Sequence, residues 1–198
     1  MFESSVPQNN NDLAAEKGPA CDVRHRFALS AVYDIPAWDR SGLVRAVSKD
    51  WHLSTVYQVQ TGFPFTISVF GDTANAGTAR RESHSRQCAG QPLFPSGTRT
   101  SENWFNTAAF AAPPAHTFGD AGRNSIYGPG TQTLDLALVR DFSLTERARF
   151  QFREEFFNAL NHTNLGTPDG FVNTPQFGTI TEATTPGREI QLSAKLSF

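Results

Sequence analysis

TLDLALVRDFSLTERARFQFREEFF, residues 133–157, is the stretch whose reading decides the fold. Leu134, Leu136, Leu138 and Phe142 share one parity, and Thr133, Asp135, Ala137, Val139 and Asp141 share the other. After a short turn at residues 143–145 the alternation resumes. Ala148, Phe150, Phe152 and Phe156 stand against Arg147, Arg149, Gln151, Arg153 and Glu155. Successive side chains of a strand point to opposite faces, so period two with one apolar parity marks a strand with one apolar and one polar face. Glu, Arg, Ala and Leu in 146–160 favour a helix, but the apolar positions fit a period of 2 and not 3.6. The stretch is a hairpin of two long strands.

The same alternation recurs on both sides of it. Val23, His25, Phe27, Leu29, Ala31, Tyr33 and Ile35 alternate with polar and small residues until Pro36. Trp51, Leu53, Thr55, Tyr57 and Val59 form another apolar set, and after a kink at Gly62 the odd phase continues through Phe63, Phe65, Ile67 and Val69 to about Phe70. The chain closes on Ile190, Leu192, Ala194, Leu196 and Phe198, alternating with Glu189, Gln191, Ser193, Lys195 and Ser197.

Composition agrees. The 198 residues hold 17 Phe against 1 Met, with 15 Gly and 12 Pro, the balance of strands joined by loops. A net charge of -2 argues against nonspecific nucleic-acid binding, and 12% aromatic residues argue against disorder. No apolar run approaches the roughly 18 residues of a membrane-spanning helix. Residues 1–20 are polar and lack the apolar core of a signal peptide, so an export signal is expected upstream.

Connections alternate in length: 36–50 is moderate, 71–130 very long, 143–145 very short and 161–187 long. Long strands with one apolar face and alternating short and long connections fit an outer-membrane β-barrel, whose tilted spanning strands need about 9–11 residues. Soluble sandwich strands average about 5–6. The expectation is an all-β chain: an antiparallel transmembrane β-barrel fragment of about five long strands in sequence order, open at both edges. With the last residue at the periplasmic end, the 71–130 and 161–187 loops are extracellular. Tyr33, Trp51, Phe142 and Phe198 then fall at one level on the apolar faces, as a periplasmic aromatic girdle. Arg24, Arg26, Arg147, Arg149, Arg153, Glu155 and Lys195 share the polar face and would line the lumen.

No catalytic constellation is visible. His25, His52, His84, His116 and His162 are scattered, and Glu154 and Glu155 face opposite sides of a strand. GxSxG, P-loop and GxGxxG motifs do not occur, and no cysteine–histidine spacing suits a metal. Neither an enzyme nor a bound cofactor or metal is expected. Asn158, Asn161, His162 and Asn164 are expected to set a turn through Asx-type bonds. Cys21 and Cys88 both fall on the extracellular side, where a disulfide is permitted.

Six segments carry a resemblance. They are Asp22–Phe27 (DVRHRF), Thr61–Thr66 (TGFPFT), Trp104–Phe110 (WFNTAAF), Gly122–Asn124 with Gly128–Gly130, Phe152–Asn158 with Asn161–Asn164, and Arg188–Phe198 (REIQLSAKLSF). In that order they resemble the C-terminal end of Oar-like TonB-dependent outer-membrane transporters, of the acidobacterial type with a carboxypeptidase-regulatory-like domain upstream. The resemblance implies a Gram-negative cell outer membrane location and transport of a solute or surface material. It also implies a 22-stranded barrel with a plug, coupled to TonB through an N-terminal region. Residues 1–22 would be an extracellular loop remnant and 23–198 the C-terminal strands. Five strands cannot close such a barrel, and plug and TonB box have no counterpart here, so the chain is expected to be a fragment that does not transport alone. Glu154 stands where the family usually has a small residue; facing lipid, it is expected near the outer interface. Ile190, Leu192, Ala194, Leu196 and Phe198 resemble the β-signal read by the barrel-assembly machinery. Implied partners are that machinery, outer-membrane lipid, the remaining strands and plug, and TonB.

A competing reading is a soluble extracellular β-sheet module that binds glycan through Trp104, Phe105 and Tyr127. The apolar face discriminates: Phe150, Phe152, Leu192 and Leu196 point into a closed core in a soluble module and form an uncovered belt in a barrel.

Overall fold

The computed structural model describes residues 9, 11–14, 22–37, 42–75 and 82–198. The loop remnant expected over 1–22 lies almost entirely outside the described residues, as does the Cys21 end of the Cys21–Cys88 pairing. In chain order the elements are β1 (Arg26–Ile35), α1 (Gly42–Ser48), β2 (Trp51–Gln60), β3 (Pro64–Phe65), β4 (Ser68–Phe70), β5 (Glu82–His84), β6 (Arg86–Gln87), β7 (Phe110–Ala111), β8 (Ile126–Tyr127), β9 (Thr131–Ser143), β10 (Arg149–Phe157) and β11 (Glu189–Ser197). The chain divides into two compact units. The strand unit is His25–Gln60, Thr131–Asn164 and Thr185–Phe198; the loop unit is Met1–Arg24, Thr61–Gly130 and Leu165–Thr184.

The strand unit is one five-stranded sheet in the order β1-β2-β9-β10-β11, antiparallel throughout and not closed. Strict period two in each strand lets the registers bring like faces together. One hydrogen-bonded row runs Tyr33, Leu53, Leu138, Glu154, Leu192, and the next toward the chain's outer loops runs Ala31, Thr55, Leu136, Phe156, Ile190. The long connections all leave the sheet at the end marked by Gln60, Thr131 and Glu189. At the other end Thr145 closes the β9–β10 turn, its Oγ1 accepting from the Ala148 N–H at 2.9 Å. The seven-residue α1 in the 36–50 connection carried no signal in the alternation pattern.

Every described buried hydrophobic residue belongs to the loop unit; the sheet has none. Leu192 is 63% and Leu196 56% exposed, and Phe150 and Phe152, beside them in the sheet, are half-buried. The apolar face is therefore an uncovered belt among the described residues.

One sequence expectation is corrected here. The odd phase after Gly62 does not extend the second strand. β2 stops at Gln60, and β3 and β4 pair with β8 and β5 inside the loop unit. Gly62 is a close-approach site, where a Cβ would stand 2.0 Å from the Gly128 carbonyl oxygen. The described residues of the very long 71–130 segment carry short ladders of their own. With 165–184 they close on Ile67, Phe105, Phe110, Ile126 and Val172, through ladders of two or three residues too short to show a period.

Candidate functional site

The sheet offers two chemically distinct faces and one tied-down end. On the apolar face the four girdle aromatics descend in steps. Tyr33 pairs with Leu53, and Trp51 lies two residues nearer the short-turn end; Trp51 pairs with Arg140, and Phe142 lies two residues nearer again. Phe142 pairs with Phe150 and through it with Leu196, and Phe198 lies two residues beyond. They do not share a hydrogen-bonded row; they form a diagonal.

Two charges interrupt this face: Glu154, whose parity placed it here, and Arg140. Arg140 has the parity of Leu138 and Phe142 and was missed. It is 7% exposed, its guanidinium 4.1 Å from the Phe142 ring centroid and 5.2 Å from that of Trp51. Stacking on aromatic faces is the means by which a guanidinium is kept on an apolar surface. Glu154 is three residues from the outer end of β10, opposite Leu138 and Leu192, between Phe152 and Phe156.

The polar face carries lateral hydrogen bonds. Asp34 Oδ1 sits 2.6 Å from His52 Nδ1, Asp141 Oδ2 lies 4.0 Å from His52 Nε2, and Gln151 Nε2 donates to Asp141 Oδ1 at 2.9 Å. This links β1, β2, β9 and β10 through side chains that the sequence reading did not connect. Arg153 and Glu155 form an ion pair at 2.6 Å, and Arg26 Nη2 donates to Gln58 at 3.3 Å. Arg149 and Lys195 have the parity of this face. Arg24 and Arg147 depart from the expected row. Arg147 lies in the turn before β10. Arg24 precedes β1 and belongs to the loop unit, where its Nη2 donates to the Tyr127 hydroxyl at 3.0 Å and that hydroxyl donates to Asp22 at 2.8 Å. The Tyr127 hydroxyl first, and Asp22 after it, raise the Arg24 pKa above its ordinary value.

Three asparagines tie the outer end of the strand unit. Asn158 and Asn161 adopt positive φ (48° and 52°), a conformation asparagine tolerates better than most residues. Asn158 Oδ1 accepts from the His162 N–H at 3.0 Å, and its Nδ2 donates to the carbonyls of His162 and Pro186 at 2.9 and 3.2 Å. Asn161 Oδ1 accepts from the Arg188 N–H at 3.0 Å. Asn164, fully buried, accepts from the Gln132 N–H at 2.7 Å and donates to the Gln132 carbonyl at 3.0 Å, so its amide pairs with β9 as a strand residue would. The Asx-type turn was legible in the sequence; the clamp on β9 and on the start of β11 was not. Asn164→Ala would leave both Gln132 groups unpaired, at a cost of about 1–3 kcal/mol. Hydrogen exchange at Gln132 should accelerate accordingly, and more than in Asn161→Ala; unchanged exchange would show the clamp to be idle.

The aromatics of the glycan reading are not displayed as platforms. Phe105 is fully buried, and Trp104 Nε1 donates to the Tyr127 carbonyl at 2.8 Å. Among the described residues no group of three His, Cys, Asp or Glu side chains is placed to hold a metal ion.

The family model described as Outer membrane beta barrel domain matches residues 2–191. The chain belongs to this family, whose setting is the outer membrane. No curated protein and no solved structure matches it.

Proposed function

We propose that this outer membrane barrel domain supplies five adjacent wall strands of a TonB-dependent transporter of the Oar-like type, which moves a solute or surface material across the outer membrane. One observation carries the reading: the sheet buries no apolar side chain, while an apolar face runs across all five strands, interrupted at Arg140 and Glu154. Water would not tolerate such a face, and lipid takes the place of a core. The descending aromatics support it. Three descents of two residues, about 7 Å each, over four strand intervals of about 4.8 Å give a slope near 45°, within the tilt of membrane barrels. Tilted by that amount, Tyr33, Trp51, Phe142 and Phe198 stand at one depth and serve as the periplasmic girdle.

The open edges define the partner strands. β1 and β11 run in the same direction, so antiparallel closure takes an odd number of further strands and gives the even total of bacterial barrels. Edge-to-edge joining of β11 to β1 of a second copy would be parallel and cannot substitute. Plug, TonB contact and the missing strands come from sequence outside this chain, and these five strands alone do not transport. The test uses the full-length protein in fractionated cells. Outer-membrane recovery with heat-modifiable migration, together with capture of the periplasmic domain of TonB, is the expected result. Heat-modifiable protein that never captures TonB would leave a barrel of another type, and recovery in a soluble fraction would overturn the barrel itself.

A further inference from the structure

We propose that the outward face of β2–β9–β10 is where two copies of this protein meet in the membrane, related by a two-fold axis along the membrane normal. The inference rests on the barrel reading above and starts from Glu154. Its carboxylate lies on the apolar face, three residues from the outer end of β10, and among the described residues nothing pairs with it. An ionisable side chain in the apolar band marks a contact other than lipid. Arg140 does not serve it, because its guanidinium stacks toward Phe142, the neighbour on the short-turn side.

The depth of Glu154 identifies what it meets. Its hydrogen-bonded row runs to Leu138 on β9 and Leu53 on β2. At the slope of the girdle, two strand intervals of about 4.8 Å correspond to about three residues along β2 toward the outer loops. That level falls between Thr55 and Tyr57, two hydroxyl-bearing residues on the same apolar face. On β9, one interval away, the same level is that of Leu136. Glu154 on β10 and the hydroxyls on β2 thus flank Leu136 at equal distances and equal depth. This is the arrangement an isologous contact requires, in which residue i meets j and j meets i. Rotation about an axis through Leu136 lays β10 of one copy against β2 of the other. Each Glu154 carboxylate then accepts from Tyr57 or Thr55 of the partner copy, with Leu134, Leu136 and Leu138 packed between.

A residue on a two-fold axis meets itself, which gives a direct test. In the full-length protein, with Cys21 and Cys88 changed to Ser, Leu136→Cys is oxidised in intact outer membranes. A disulfide-linked dimer is expected, while Leu192→Cys, two strands away on the same face, gives none. Adding Glu154→Leu should lower the linked fraction severalfold, and Glu154→Gln, whose amide oxygen still accepts a hydrogen bond, should retain it. Absence of the Leu136→Cys dimer in protein that remains heat-modifiable overturns the dimer and leaves the barrel: the face then meets lipid. Linkage through Leu192→Cys alone would overturn it in favour of another surface. Failure of every variant, and of the parent, to reach the outer membrane would overturn both readings.

Discussion

Changing Leu196 to Asp, or removing Phe198, is expected to leave the full-length protein severalfold less abundant in the outer membrane than the same changes at Lys195 or Ser197. β11 pairs with β10 on one side only, and every residue along it is exposed. Leu196, opposite Phe150, lies on the uncovered apolar face; Lys195, opposite Gln151, lies on the polar one. An edge strand of this kind is an aggregation hazard in water, so its exposure suits delivery to a receiving strand. Strand addition takes its affinity from backbone bonds and its register from alternate side chains. A carboxylate at Leu196 spoils that alternation and places a charge against lipid, whereas a carboxylate at Lys195 does neither. Immunoblots of separated membranes read the result. Equal amounts of all four variants would refute the role of Ile190, Leu192, Ala194, Leu196 and Phe198 as an assembly signal.

What the sequence discloses and what it hides follow from the range of the interactions. The five long strands were legible because each repeats a period of two over nine or more residues, and one edge of the alternation survives even in β1, where every residue but Ile35 is exposed. Their order was legible because neighbours in sequence are neighbours in the sheet. The loop unit was not. β3 pairs with β8 and β6 with β7, across gaps of twenty residues or more, in ladders of two residues. No period can form in two residues, and the packing that selects these pairs is aromatic and long-range. Phe63, Phe65, Ile67 and Val69 alternate well enough to pass for a strand. What ends β2 is the backbone approach of Gly62 to Gly128, a contact between distant positions. Arg140 escaped for a different reason, while the face of Glu154 was legible from its parity. Both have the parity of the apolar face, and a reading that sorts residues by polarity passes over a charge such as Arg140 that disagrees with its parity. Such disagreements are where function is to be sought, and Glu154 carries the proposed contact between copies. The asparagine clamp lies between these cases: its turn is local, but its bonds to Gln132, Pro186 and Arg188 are not.

The loop unit is expected to depend on one ring more than on any other. Phe105 is fully buried and has three aromatic neighbours, with centroid distances of 5.2 Å to Phe177, 5.8 Å to Phe110 and 6.0 Å to Phe65. These neighbours come from separate stretches of the chain, including the 165–184 connection, so the ring is what holds the pieces of the unit to one another. Their inclined arrangements are those in which ring edges meet ring faces, worth about 0.5–1.5 kcal/mol per pair beyond area burial. The site cannot collapse onto a smaller side chain. Trp104 is fixed through the Tyr127 carbonyl, and a Cβ at Gly178 would already stand 2.6 Å from Thr107. Phe105→Ala is therefore expected to cost about 3–5 kcal/mol, the range for a large aromatic removed from a packed interior. The reporters are amides that bond across the unit: Ser85 to Ile67 at 3.0 Å, Cys88 to Ala109 at 2.8 Å and Ala121 to Ser85 at 3.0 Å. Each tenfold in exchange corresponds to about 1.4 kcal/mol. These amides should thus exchange at least about a hundredfold faster in the variant. Phe63→Ala, at a site 54% exposed, is the matched control and should stay within about 0.5 kcal/mol of the parent. Acceleration of the three amides by less than about tenfold would mean that the unit is held by its short ladders, and that the ring merely fills space between them.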